Sequence, residues 1–189
     1  LTHIAETPMK ERYISVDIEA SGPIPGEYSL LAIGACDVDR PELTFECLLQ
    51  PSAPNVDPEA LAVTGLSLDT LEKDGLAPAA AMKGFAAWLA SVRAADEALV
   101  FVGFNAAFDW SFINYYFHRY TGANPFGFSA LDIKAYYMGR RRCAWSETRS
   151  SRMSEVLRPQ RTANHQAKDD ALYQAELFRL MRAMPDELP

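Results

Sequence analysis

The 189-residue sequence predicts an α/β domain built on a mixed β-sheet with helices on its faces. Three strand-like segments follow one another near the start of the chain, and helical and strand-like segments alternate after them. Strands joined by tight turns pair antiparallel, whereas strands joined through a helix pair parallel. This order of patterns therefore predicts three antiparallel strands followed by parallel ones.

The first three strands are indicated by apolar residues between turns rich in Gly and Pro. In the first of them, Ile14, Val16 and Ile18 alternate with more polar neighbours, which is typical of a strand buried on one face. A turn at 21–26 follows this strand, and Arg40 lies in the tight turn between the other two. The three strands are predicted at residues 12–20, 29–39 and 43–50.

The rest of the chain is predicted to alternate helices with two further strands. Asp57 and Pro58 are typical of a helix cap and a first helical position. Met82, Phe85 and Leu89 form an apolar stripe at helical spacing. The helices are predicted at 57–63, 79–95, 109–120, 134–138, 151–157 and 167–183, and the strands at 98–104 and 129–133.

Length and composition indicate one globular domain in the cytoplasm. No apolar run approaches the ~20 residues that a membrane helix needs, and residues 1–9 lack a basic-then-apolar signal pattern. The three cysteines, Cys36, Cys47 and Cys143, have no metal-type spacing, so reduced thiols are expected. These features predict no membrane partner.

The charge is unevenly distributed. The whole chain carries −7, which weighs against a partner rich in phosphate, although bound divalent cations can reverse the sign of an acidic site. Between residues 140 and 161, seven arginines stand against two glutamates, a local charge of +5, which leaves −12 for the rest. This segment is explained equally well as a basic surface that binds a nucleic-acid strand and as a solvated arginine-rich loop.

The first candidate site residues are Asp17 and Glu19. Residues two apart on a strand point to the same face, so these carboxylates stand side by side. They repel each other unless a cation lies between them, and oxygen donors suit Mg²⁺ or Mn²⁺. Asp57 and Glu59 have the same spacing, but Asp57 begins a helix, where an acid is a cap.

Two further groups of polar residues follow in the chain. Residues 105–109 come directly after a predicted strand, a position where ligand sites gather in such sheets. The alternative is local: Asn105 caps the helix and Asp109 complements its dipole. His165 and Asp170 are too far apart to share a helix face, so we expect His165 on a loop and Asp170 on the last helix. A loop histidine that is merely solvated is the alternative there.

In their order along the chain, these residues resemble the DEDDh (DnaQ-like) 3′–5′ exonuclease family, which includes ribonuclease T and bacterial proofreading subunits. The resemblance spans about residues 11–184 and implies one exonuclease domain there, with residues 1–10 as an N-terminal extension. Its spacing selects Asp170 over Asp169. The motifs D-x-E, N-x-x-F-D and H-x-A-x-x-D-A are matched by Asp17 and Glu19, by Asn105, Phe108 and Asp109, and by His165, Ala167, Asp170 and Ala171.

The resemblance implies a ribonuclease H-like fold and hydrolysis that depends on two divalent metal ions, Mg²⁺ or Mn²⁺. Asp17 is expected to bridge the metals, and Glu19 and Asp170 to hold the one that carries the attacking water. Asp109 is expected to support the metal site, and His165 to act as the general base. The expected reaction releases nucleoside 5′-monophosphates from the 3′ end of single-stranded DNA or RNA.

The resemblance also suggests where substrate binds, but it leaves substrate choice open. Thr64-Gly65-Leu66 replaces the His-Gly-Ile of many relatives. Stacking by Phe104 or by residues 115–117 competes with a core role, which is more usual for aromatic residues at helical spacing. A homodimer, a polymerase partner and a non-catalytic binding module of the same fold remain alternatives. The expected substrate contacts are Ala20, Gly22, Thr64, Asn105 and Phe108.

Overall fold

A computed structural model describes residues 10–185, in which five strands form one mixed sheet. The strands are β1 (Lys10–Ala20), β2 (Leu30–Asp37), β3 (Thr44–Leu48), β4 (Glu97–Gly103) and β5 (Ala130–Asp132). Their order across the sheet is β3-β2-β1-β4-β5. The pairs β1–β2 and β2–β3 are antiparallel, and the pairs β1–β4 and β4–β5 are parallel. The predicted α/β class and the predicted mixed pairing are therefore confirmed.

Helices cover both faces of this sheet. The described residues form α1 (Pro58–Thr64), α2 (Leu68–Asp74), α3 (Pro78–Val92), α4 (Ala106–Thr121), α5 (Ile133–Arg141), α6 (Ser150–Leu157) and α7 (Ala167–Arg182), with a 3₁₀ turn at Trp145–Thr148. Helix α2 and the 3₁₀ turn were not predicted, because each is too short to show an apolar stripe. Helix α4 begins three residues earlier than predicted.

The sheet separates two apolar cores, and β1 contributes to both. Ile14, Val16 and Ile18 pack into the core under α3 and α4. The opposite face of β1 meets α7, where the ring of Tyr13 lies 5.3 Å from that of Phe178. Because side chains alternate along a strand, Asp17 shares the α7 face with Tyr13.

A glycine in β2 allows α7 to approach the sheet closely. A Cβ atom at Gly34 would lie 2.1 Å from the carbonyl carbon of Ala167, the first residue of α7. Gly34 is also the β2 partner of Asp17 across the strand pair. The start of α7 is therefore held directly against the strand pair that carries Asp17.

The predicted N-terminal extension, residues 1–10, lies outside the described residues except for Lys10, which begins β1. Its separation from an exonuclease domain at 11–184 stays a prediction. Within the described part of the chain, no helix combines the length and apolar character needed to span a bilayer.

Candidate active site

Three carboxylates from two elements converge at the C-terminal end of the central strand, β1. Asp17 and Glu19 come from the end of β1, and Asp170 comes from the first turn of α7. One ligand oxygen from each residue lies within 4.8 Å of the others. Oxygen donors this close suit a hard divalent cation such as Mg²⁺ or Mn²⁺. The donor set therefore fits the metal that the sequence pattern predicts.

Burial and crowding raise the pKa values of two of these carboxylates, Asp17 and Glu19. Burial, together with the charges of Asp109, Asp170 and Glu19, raises the pKa of Asp17 well above its usual range. Burial and the charge of Asp170 raise the pKa of Glu19 to about 7. A cation between the oxygens would favour the ionised forms and lower both pKa values.

Asp109 lies beside this cluster but is directed at the backbone. Its side chain is buried, at 4% exposure, and its Oδ1 accepts a hydrogen bond of 3.0 Å from the N–H of Ile18. Burial raises the pKa of Asp109 to about 8, although this backbone bond opposes the rise. Ile18 lies between Asp17 and Glu19, so Asp109 fixes the strand that carries both. Asp109 is not among the three closely grouped ligands.

Asn105 lies in the turn between β4 and α4, but its side chain does not cap the helix. Asn105 has a left-handed backbone (φ 60°) and makes no side-chain cap bond. Asparagine tolerates this conformation better than most residues. Asp132 provides the cap instead, since its Oδ2 accepts a 2.7 Å bond from Ala106 N and its Oδ1 accepts one of 2.7 Å from Ala135 N. One carboxylate thus caps both α4 and α5, a role that sequence reasoning missed.

The loop that carries His165 is fastened by Asp170 itself. The backbone N–H groups of Asn164 and His165 donate to the two carboxylate oxygens of Asp170 at 2.8 and 3.1 Å. His165 is exposed and has a left-handed backbone (φ 59°), which is uncommon for a residue with a side chain. Asp170 therefore both belongs to the cluster and orients the histidine loop. Its neighbour Asp169 turns away and accepts a bond from Asn164 Nδ2.

A cleft of about 220 Å³ opens beside the carboxylates. Phe104 lines this cleft, whereas Phe108 lies on the surface of α4 against Phe112. Tyr116 and Phe117 are core residues, so the structure does not offer them for base stacking. The cleft is lined by Asp17, Phe104, Ser150, Ala163, His165, Asp170, Tyr173 and Gln174.

The predicted substrate contacts Thr64, Ala20 and Gly22 differ in their surroundings. Thr64 lines a small cavity with Glu19 and His165, and its hydroxyl donates to Leu61 O and accepts from Leu66 N. Ala20 is buried at the end of β1. At Gly22, a Cβ atom would lie 2.1 Å from the ring of Tyr28, so this glycine has a packing role of its own.

Gln174 is a site residue that sequence reasoning missed. It is 4% exposed, and its amide joins two elements. Its Nε2 donates to Asp17 Oδ1 at 2.5 Å, and its Oε1 accepts from Phe104 N at 3.0 Å. The available signal was an amide one helical turn after Asp170, on the apolar face of the last helix.

Residues 14–178 match the RNase_T family of exonucleases, which covers most of the chain. The 3′–5′ DNA exonuclease Cap18 of Escherichia coli is 53% identical over 178 residues, which cover 94% of this chain and 95% of that relative. These two matches extend over all three motifs and both sides of the cleft.

Solved structures agree on the fold. The nuclease domain of 3′hExo, a DEDDh family member bound to rAMP, has a TM-score of 0.75 at 15% identity, over 95% of this chain and 96% of that one. E. coli Exonuclease I in complex with a dT13 oligonucleotide has a TM-score of 0.69 at 17% identity, over 92% of this chain and 41% of that one. The predicted ribonuclease H-like fold is thus confirmed. The chain belongs to the RNase_T exonuclease family, of the DEDDh type that its motifs resemble, and it is a 3′–5′ exonuclease.

Proposed function

We propose that the chain hydrolyses the terminal phosphodiester bond at the 3′ end of single-stranded DNA or RNA and releases nucleoside 5′-monophosphates. The observation that carries this proposal is the convergence of Asp17, Glu19 and Asp170 beside a cleft that His165 also lines. DNA is the favoured substrate, because the relative that is 53% identical over nearly its whole length is named a DNA exonuclease.

In this proposal, Asp17, Glu19 and Asp170 would hold two divalent ions, Mg²⁺ or Mn²⁺. Bound divalent cations supply charge neutralisation at the phosphate and a more acidic bound water. Asp109 contributes by fixing β1 through Ile18, which keeps the carboxylates of Asp17 and Glu19 on one face. Asp170 contributes twice, as a ligand and as the acceptor for the His165 loop.

His165 is proposed as the general base. It lines the cleft beside Asp17 and Asp170 and remains exposed. A neutral imidazole has a nitrogen lone pair that can accept a proton from water. Two hydrogen bonds from the backbone of its loop to Asp170 keep it beside the metal ligands. His165→Ala is therefore expected to slow hydrolysis while metal affinity is retained.

The proposal includes a setting for the enzyme. We propose that it acts in the cytoplasm, which is supported by the free state of Cys36, Cys47 and Cys143. The rival proposals are a homodimer, a polymerase-bound subunit and a non-catalytic module that binds nucleic acid. The presence of all five motif residues favours catalysis over the last of these; they are Asp17, Glu19, Asp109, His165 and Asp170.

The test is nucleotide release from 5′-labelled DNA and RNA oligomers with Mg²⁺, with Mn²⁺ and with a chelator. The wild type is expected to give a descending ladder only when metal is present. Asp17→Asn is expected to lose at least a hundredfold in rate, because it removes a central ligand. Asp57→Asn, which changes an acid that only caps α1, is the matched control and should retain full activity. Equal ladders from the wild type and from Asp17→Asn would overturn the proposal.

A further inference from the structure

Tyr173 lines both the cleft and a neighbouring groove. This groove, of about 340 Å³, shares Ser150, Ala163 and Tyr173 with the cleft. It runs between α6 and the loop that precedes α7, within the arginine-rich segment. The groove is lined by Ser150, Ser151, Ser154, Pro159, Arg161, Thr162, Ala163 and Tyr173.

The floor of this groove is a closed network of hydroxyl groups. Ser154 Oγ donates to the carbonyl of Ser150 at 2.9 Å, and Tyr173 Oη lies 2.7 Å from Ser154 Oγ and 2.8 Å from Ser150 Oγ. Because each hydroxyl has one hydrogen, Tyr173 must donate to Ser154, and Ser150 must donate to Tyr173. These three hydroxyl hydrogens are therefore all used within the protein.

Side chains at the rim of the groove have hydrogen-bond donors that are not used within the described residues. Ser151, Arg161 and Thr162 are exposed, and none of their side chains donates a hydrogen bond within residues 10–185. Both oxygens of Glu176 accept bonds from the backbone N–H groups of Gln160 and Arg161, at 2.7 and 3.0 Å. This fixes the loop while the guanidinium of Arg161 stays available. A guanidinium with neighbouring hydroxyl donors suits a phosphate group.

We propose that this groove, formed by α6 and residues 158–163, binds the phosphodiester backbone of the substrate strand on the 5′ side of the scissile bond. This inference rests on the proposed function, which puts the scissile phosphate at the carboxylates of the adjoining cleft. The strand then continues from the cleft past Ser150 and Tyr173 to Arg161. The local positive charge of this segment in an otherwise acidic chain matches a polyanion.

The test compares wild type with Arg161→Ala. It measures kcat and KM for a dinucleotide and for a single-stranded DNA of 15 nucleotides. For the longer oligomer, Arg161→Ala should raise KM on the order of fivefold and leave kcat unchanged. The slope of log(kcat/KM) against log[salt] should fall in magnitude by about one. The dinucleotide, too short to reach the groove, should be cleaved equally by both proteins. Arg152→Ala, an exposed arginine of α6 that lines neither cavity, controls for net charge.

The outcomes separate the two proposals. Arg161→Ala that matches wild type on the longer oligomer would overturn the groove assignment and leave the exonuclease proposal intact. Equal losses on both substrates would also overturn it, because Arg161 would then act at the scissile bond or on folding. An equal effect of Arg152→Ala would also overturn the groove assignment, because the loss would then follow from net charge alone. Wild-type protein that releases nucleotides from neither substrate would instead refute the proposed function.

Discussion

Asp17 is held between an amide that donates to it and carboxylates that repel it. Gln174 donates to its Oδ1 from α7, while the charges of Asp109 and Asp170 act against its ionisation. The same glutamine accepts from Phe104 N, so it ties Asp17 to the end of β4. A carboxylate with one oxygen fixed in this way presents its remaining lone pairs in a defined direction. Gln174 is therefore expected to be a positioning residue for metal binding.

Gln174→Leu should raise the half-saturating concentration of Mg²⁺ or Mn²⁺ about tenfold, in the range expected when a partner of a metal ligand is removed. It should also cost about 1–3 kcal/mol of stability, because Phe104 N–H is left without an acceptor. Activity measured against metal concentration, beside a thermal melt, separates the two effects. Phe178→Leu, in the same helix but packed on Tyr13, controls for a loss of stability alone. Unchanged metal dependence in Gln174→Leu would refute the positioning role.

The acidities at the site predict how stability depends on pH without metal. Glu19 has its pKa raised to about 7 and Asp109 to about 8 in the folded protein, from ordinary values of 4.5 and 3.8. Groups with raised pKa values favour folding while they are protonated, and that contribution is lost as pH rises through the folded-state pKa. With a chelator present, the melting temperature should therefore fall between about pH 5 and pH 8.

Glu19→Gln should reduce this fall, whereas Glu59→Gln, at an exposed position of α1, should leave it unchanged. Added Mg²⁺ should raise the melting temperature more at pH 8 than at pH 5.5, because metal binds the ionised carboxylates. Scanning calorimetry across this pH range is the measurement. A melting temperature that rises with pH in chelator would contradict the account of the crowded carboxylates.

At the scale of elements, α7 makes several of the contacts that organise the site. It provides Asp170 to the carboxylate cluster, Gln174 to Asp17, and Glu176 to the preceding loop. Its start is in close contact with β2 at Gly34. Since these side chains share one rigid helix, a small displacement of α7 would disturb all of these contacts together.

Gly34→Ala should displace the start of α7, because the new methyl group would meet the backbone of Ala167. The expected cost is about 1–3 kcal/mol of stability, as for other overpacked cores, with a marked loss of activity at temperatures where the protein remains folded. Chemical denaturation and nucleotide release are measured together. Gly139→Ala, with open space at the Cβ position in α5, is the control and should stabilise slightly. Full activity in Gly34→Ala would show that this contact does not position Asp170.

The sequence pattern predicted the long helices well, but it misplaced a helix whose cap comes from a distant residue. Long amphipathic helices such as α3 and α7 were predicted, because an apolar stripe over several turns is visible in the sequence. The predicted start of α4 was three residues too late. The cap of this helix comes from Asp132, which lies on the neighbouring parallel strand and not directly before the helix. A cap supplied from a distant residue leaves no local signal in the sequence.

At the scale of the whole molecule, the carboxylates were predictable but their supports were not. Asp17 and Glu19 were distinguished from Asp57 and Glu59 by the element that carries them, and Asp57 does cap α1, with a 2.9 Å bond from Glu59 N. The contacts made by Gln174 and Gly34 depend on how α7 lies on the sheet. That arrangement is a property of the folded chain and is not encoded in any short motif.

The central claim is that carboxylates from β1 and α7 form one metal site. A crystal soaked in Mn²⁺, with anomalous diffraction measured near the manganese edge, tests it most directly. The account predicts anomalous density in contact with Asp17, Glu19 and Asp170, and its loss in crystals of Asp17→Asn. Well-ordered side chains with no manganese among them would contradict it.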